Sequence, residues 1–183
     1  MQRIIIILAS LSISFGISAD EPEEILQQYF TIVTSQNFEN LGNLMDSESM
    51  AGLQELMVNA IRAQTRTGRS DLQKRIFGKK VTLNQVRKTS ADFYLHKLAE
   101  QILYAATSQN FVVKGQDVLG RIDEGADTVH YLARVSMSQG DKSATAIRVY
   151  TIIREGDAWK MKFPDAISQL LQMIEANANR RTR

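Results

Sequence analysis

The chain has 183 residues, 44% hydrophobic and 23% charged, with a formal net charge of +2, the composition and length of one globular domain. Cysteine is absent, which excludes a disulfide framework, a thiolate metal site, a cysteine nucleophile and a lipidated cysteine. A charge so near balance gives no general electrostatic reason to bind nucleic acid or an anionic membrane.

Residues 1–19 read as a cleavable signal peptide. Arg3 is the early charge, Ile4 to Ile17 is an apolar run, and Gly16, Ser18 and Ala19 are small residues before the acidic Asp20 and Glu21, the order a signal peptidase recognises. The run is short of the ~20 residues that span a bilayer as a helix. No stable membrane anchor is therefore expected after cleavage, and the mature chain is expected to be periplasmic or secreted. Residues 20–176 are expected to form a single α+β domain, and 177–183, with three arginines and no acid, a basic C-terminal tail.

Helical periodicity fills the mature chain up to about Ala106. Glu21–Ser35 carries Ile25, Tyr29, Ile32 and Val33 on one side, with Glu21, Glu23 and Glu24 in the first turn, where the helix dipole favours acids. A short helical turn around Phe38–Met45 precedes a helix over Ser49–Thr65, whose Leu53, Leu56, Met57, Ala60 and Ile61 recur at three-and-four spacing. Met45, Met50 and Met57 read as adaptable core filler rather than a binding surface. Asp71 to Phe77 is a helix closed by Gly78, and Lys79 to Leu83 a mostly polar connection. A longer helix from Thr82 or Ser90 to Ala106 shows a stripe of Leu95, Leu98, Ala99, Ile102, Leu103 and Ala106, with His96 at its rim.

Alternation then takes over from Phe111 to Phe163. Three glycine-acid turns, around Glu124–Asp127, Gly140–Asp141 and Gly156–Asp157, join four segments into an antiparallel meander. Two-residue loops at the later turns set Met137 opposite Ala144, Tyr131 opposite Tyr150, and Ile152 opposite Met161. On the first hairpin Ile122 is expected to meet Val129, and Gly120 to meet Tyr131, an aromatic ring covering a strand glycine. Val129, Tyr131, Ala133, Val135, Met137, Ala146, Tyr150, Ile152, Trp159, Met161 and Phe163 then share the core face. The opposite face carries His130, Leu132, Arg134, Ile147, Val149, Thr151 and Ile153, and Asp117 falls opposite Arg134. Its apolar centre calls for a cover, either the last helix or a second copy of the chain. That last helix starts at Pro164–Asp165 with Ile167, Leu170, Leu171 and Ile174 on one stripe.

Helices first, then a meander ending in a Gly-Asp-x-Trp hairpin, resemble the nuclear transport factor 2-like superfamily. The most specific stretch is Arg148 to Phe163, RVYTIIREGDAWKMKF. Leu72–Lys79 and Val118–Gly125 look like exported bacterial members without an assigned activity. The resemblance implies an α+β cone or roll, N-terminal helices closing over a curved antiparallel sheet, with a pocket between them and often a dimer through the sheet's outer face. It implies no single function, since members include isomerases, dehydratases, cyclases and non-catalytic binding modules. The steroid-isomerase type uses a tyrosine and two acids converging in the pocket. Here the core face offers tyrosines but neither Asp nor Glu.

No metal site is expected: His96 and His130 lie on different elements, with no H-x-x-x-H or Asp-rich loop beside them. No cofactor is expected either, for no G-x-G-x-x-G or phosphate loop occurs, and no G-x-S-x-G elbow marks a serine nucleophile. Arg148 is the odd residue, because alternation places it on the apolar face, where an unpaired charge is costly. It either holds an anionic ligand such as a carboxylate, pairs with a helix acid such as Asp92, or escapes to the rim. Tyr131, Tyr150 and Trp159 are the other pocket candidates, each also readable as core. The resulting expectation is a non-catalytic binding domain whose helix–sheet pocket takes a small molecule or partner. The alternatives are a lyase or isomerase using the same pocket, and an envelope protein-interaction dimer.

Overall fold

The computed structural model describes residues 21–179; the expected signal peptide and the arginines of the C-terminal tail lie outside the described residues. The elements are α1 (Pro22–Ser35), α2 (Leu41–Leu44), α3 (Ser47–Arg66), α4 (Asp71–Phe77), α5 (Leu83–Lys88), α6 (Ala91–Ser108), β1 (Phe111–Asp123), β2 (Thr128–Gln139), β3 (Lys142–Glu155), β4 (Ala158–Met161) and α7 (Asp165–Asn179). The N-terminal helices pack onto a four-stranded antiparallel sheet in the order β1-β2-β3-β4, with α7 as the short C-terminal helix. The architecture is α+β, as expected.

Local chemistry explains the helix ends. Asp46 caps α3 by accepting from the Ser49 amide at 3.0 Å, which satisfies a donor the helix cannot use. Thr82 and Gln85 form a reciprocal capping box on α5, and Ser90 accepts from the Phe93 amide at 3.3 Å to start α6. Both starts allowed by the sequence are therefore used, each for its own helix, and extended Thr89 separates them. The two stay locked together because the Tyr94 hydroxyl donates to the Val86 carbonyl at 2.7 Å inside the core. Gly78 closes α4 with φ of 69°, a conformation in which a side chain would be strained.

Leu53, Met57 and Ile61 of α3, Leu26 of α1 and Leu95 of α6 share one buried core with Val129, Tyr131, Ala133 and Ile152 of the sheet. The inner and outer faces of β2 and β3 fall as alternation dictates. Met137 pairs with Ala144, Tyr131 with Tyr150, and Ile152 with Met161, since each two-residue loop leaves only one register.

The first hairpin differs. Ile122 pairs with His130, Gly120 with Leu132, and Arg121 with Tyr131, one residue away from the expected partners. The cause is a bulge at Leu119, where the register slips between Val118 and Gly120. A bulge inserts one unpaired residue and so transposes every later side chain of that strand. Below it, Asp117 does face Arg134, although among the described residues no carboxylate lies within ion-pair distance of Arg134. Above it, Arg121 lies over the Tyr131 ring, 5.8 Å from its centroid, where an aromatic cover over glycine was expected.

The last helix does not cover the outer face. It packs against α3, and its Ile167 joins the core. The chain leaving β4 is tied to the start of α3 by Lys162, 3.1 Å from Glu48, and by the Phe163 amide, which donates to Ser49 Oγ at 3.4 Å. This launches α7 on the helical side of the sheet. Leu132, Ile147 and Val149 on the other side remain 39%, 49% and 48% exposed.

Candidate functional site

A cavity of about 340 Å³ lies between α1, α6 and the inner face of the sheet. Its walls follow from helical and strand spacing. Tyr29 and Val33 stand one turn apart on α1, and Leu95, Leu98, Ala99 and Ile102 form one stripe of α6. Val113, Val135 and Met137 supply the sheet side, and Ile167 of α7 contributes from the far end. Ile102 and Phe111 stand partly in solvent and mark the mouth.

Few polar groups interrupt this wall. The Tyr150 hydroxyl donates to Gln116 Oε1 at 3.1 Å, across the intervening strand β2. Gln116 Nε2 is buried without a hydrogen-bond partner. Tyr29 stacks at a tilt against Tyr150, with ring centroids 5.5 Å apart. Burial, and then the neighbouring Tyr150, push the Tyr29 hydroxyl well above the ordinary phenol range. Among the described residues the lining holds no carboxylate, imidazole or lysine.

Of the residues singled out in the sequence, the structure brings Arg148 and Tyr150 to this cavity. Arg148 has the inner-face register, opposite Ala133, but its side chain is exposed. Its guanidinium donates only to the Ile147 carbonyl, at 3.4 Å, among the described residues. The rim position avoids the cost of a buried lone charge. Asp92 does not pair with it. That carboxylate abuts Gly42 of α2, where even a methyl group would overlap it, because Asp92 lies in the first turn of α6, away from the Leu95–Ile102 stretch that faces the sheet. Tyr131 is buried outside the cavity, beneath Arg121. Trp159 is half-buried at the border of the core, with Arg154 6.0 Å from its ring centroid.

Two wall residues were not anticipated as site residues. Tyr29 was visible as part of the α1 stripe, but nothing in the sequence said that this stripe meets Tyr150. Gln116 could have been found by alternation, since Asp117 beside it points outward.

The histidines stay apart. His96 is 3.1 Å from Glu100 on α6, while His130 lies on the outer face between Glu124, at 2.8 Å, and the Thr151 hydroxyl, at 3.0 Å. Among the described residues no group of three or more His, Cys, Asp or Glu side chains could hold a metal ion, and no helix is long and apolar enough to cross a membrane. In comparisons with known proteins, no family model and no curated protein matches the chain.

Proposed function

We propose that the chain is an exported, non-catalytic binding domain of the nuclear transport factor 2-like type, which holds a small apolar molecule between its helices and its sheet. The cavity carries this reading: about 340 Å³ walled by apolar side chains, with an exposed arginine at its edge. That volume is at the small end of ligand sites and, at ~30 Å³ per water-sized atom, takes roughly ten heavy atoms. Arg148, free of carboxylate partners among the described residues, is positioned to neutralise an acidic end that projects from the mouth.

Lyase or isomerase chemistry needs a proton acceptor with a pKa near the working pH. The described wall offers tyrosine hydroxyls and a guanidinium, and burial moves Tyr29 further from neutrality. This favours binding over catalysis.

The test is titration of the protein with octanoate and with octanol. Both bind the wild type, and Ala99→Phe, which fills the cavity, removes both while leaving the far-UV spectrum unchanged. Arg148→Gln weakens octanoate by roughly tenfold, the loss of one charge-assisted bond, and leaves octanol unaffected. Failure of the wild type to bind either compound overturns the reading.

A second reading, an interaction dimer, is favoured by the exposed row of Leu132, Ile147 and Val149 on the outer face of the sheet.

A further inference from the structure

Away from the cavity, a cleft of about 430 Å³ opens between the end of α3 and α5, lined by Arg62, Thr65, Arg66, Leu83 and Arg87. Arg62 and Arg66 are four residues apart, so their like charges lie one above the other on a single helix face. Arg87 brings a third guanidinium from α5. The only side-chain partner of the three among the described residues is Asn59, whose Oδ1 accepts from Arg62 at 3.2 Å. Asp71, the acid nearest to Arg66 in sequence, is taken by Arg69 at 2.8 Å. By contrast Lys97, Arg121 and Lys162 each have a carboxylate within 3.1 Å.

Placement at helix ends explains part of this. A cation near a C-terminus is favoured by the dipole, which accounts for Arg66 and Arg87 one at a time. It does not explain why Arg62 joins them. Nor do the Gln64 and Thr65 carbonyls at the end of α3 call for the arginines, since the amides of Thr67, Gly68 and Arg69 already bond to them.

The framework holding the three stems is fixed. Gln54 Nε2 of α3 donates to the Thr89 carbonyl at 2.7 Å and to the Arg87 carbonyl at 3.4 Å. Val86, beside Arg87, is fully buried and anchored to Tyr94. Three planar donor forks on a pinned pair of helices suit an anion with several oxygens and more than one charge. We propose that this cleft binds a phosphate group, presented either by a soluble phosphorylated compound or by a lipid headgroup.

The experiment uses the full mature chain at low ionic strength. One arm titrates pyrophosphate by calorimetry. The other sediments the protein with phosphatidylglycerol vesicles, with phosphatidylcholine vesicles as the neutral control. The double variant Arg66→Gln/Arg87→Gln is expected to bind roughly tenfold or more weakly, as two charge-assisted contacts are lost. Lys74→Gln/Arg75→Gln on α4, exposed and equal in charge change, is expected to bind as the wild type does. Arg66→Lys/Arg87→Lys, which keeps charge but not the fork, falls between. Because all these side chains are exposed or surface-directed, far-UV spectra and melting stay unchanged. Loss in the pyrophosphate arm supports a soluble ligand, and loss in the vesicle arm alone supports a headgroup. No binding in either arm, or equal weakening by the α4 and cleft variants, overturns the proposal.

Discussion

Tyr150 and Gln116 join strands that are not neighbours: the phenol on β3 donates to the amide on β1, 3.1 Å away, above β2. The bond closes the cavity floor and leaves Gln116 with one satisfied polar atom out of two, since Nε2 has no partner. Tyr150→Phe strips the remaining bond and leaves a half-buried amide wholly unpaired. Such a loss costs about 1–3 kcal/mol, to be read as a fall in the urea midpoint at constant slope. An unchanged midpoint would mean that water replaces the phenol.

Alkaline stability is set by buried phenols. Burial raises Tyr29, with Tyr150 adding to the effect. Burial also raises Tyr94 against the opposing Thr89 hydroxyl, and raises Tyr131 against the opposing Arg121. In each case the unfolded chain gives up its proton first, at the ordinary value of about 10. The stability these phenols contribute is therefore fully present below about pH 10 and is lost as pH rises through the folded-state values. Denaturant melts at stepped pH, followed together with tyrosinate absorbance, check this. A stability that holds or rises above that point contradicts it.

The outer face makes a prediction about mass. If two copies meet there, Ile147→Glu places charges in a buried patch and converts a dimer to a monomer in sedimentation or light scattering. A wild type that is already monomeric at high concentration removes the second reading.

At Gly78, open space surrounds the missing side chain, so only the backbone objects to substitution. Gly78→Ala forces an L-residue into the left-handed region at φ of 69°, costing about 1–2 kcal/mol. Gly52→Ala, in the exposed middle of α3 with equal room, is expected to stabilise the chain by about 0.4–1 kcal/mol. Thermal melts of the two variants should therefore move in opposite directions.

Much of the sheet was legible because tight turns leave no freedom. A two-residue loop at Gly140–Asp141 determines all of β2 against β3, from Gln139 and Lys142 at the turn to Thr128 and Ile153 at the far end. The first hairpin was not legible, because alternation counts residues and Leu119 is a residue that pairs with nothing. The site was half legible for a similar reason. Period and parity place Arg148 and Tyr150 on the correct face, but they say nothing about which helix lies opposite. The sequence therefore allows Asp92 as one partner for Arg148, whereas the fold sets that carboxylate beside Gly42. The course of α7 was also hidden, being decided by contacts of Lys162 and Phe163 with α3 that no local pattern encodes.

The slips at Lys114 and Leu119 also bear on solubility. As the first strand in the sheet order, β1 has one side with no neighbouring strand, and a long straight strand in that position invites another molecule to continue the ladder. Two kinks and a lysine spoil that template. At the opposite margin β4 is only four residues long, and the Asp46 amide, donating to the Met161 carbonyl at 3.0 Å, already occupies it. Both flanks of the sheet are thereby made poor seeds for fibril growth, without help from disulfides.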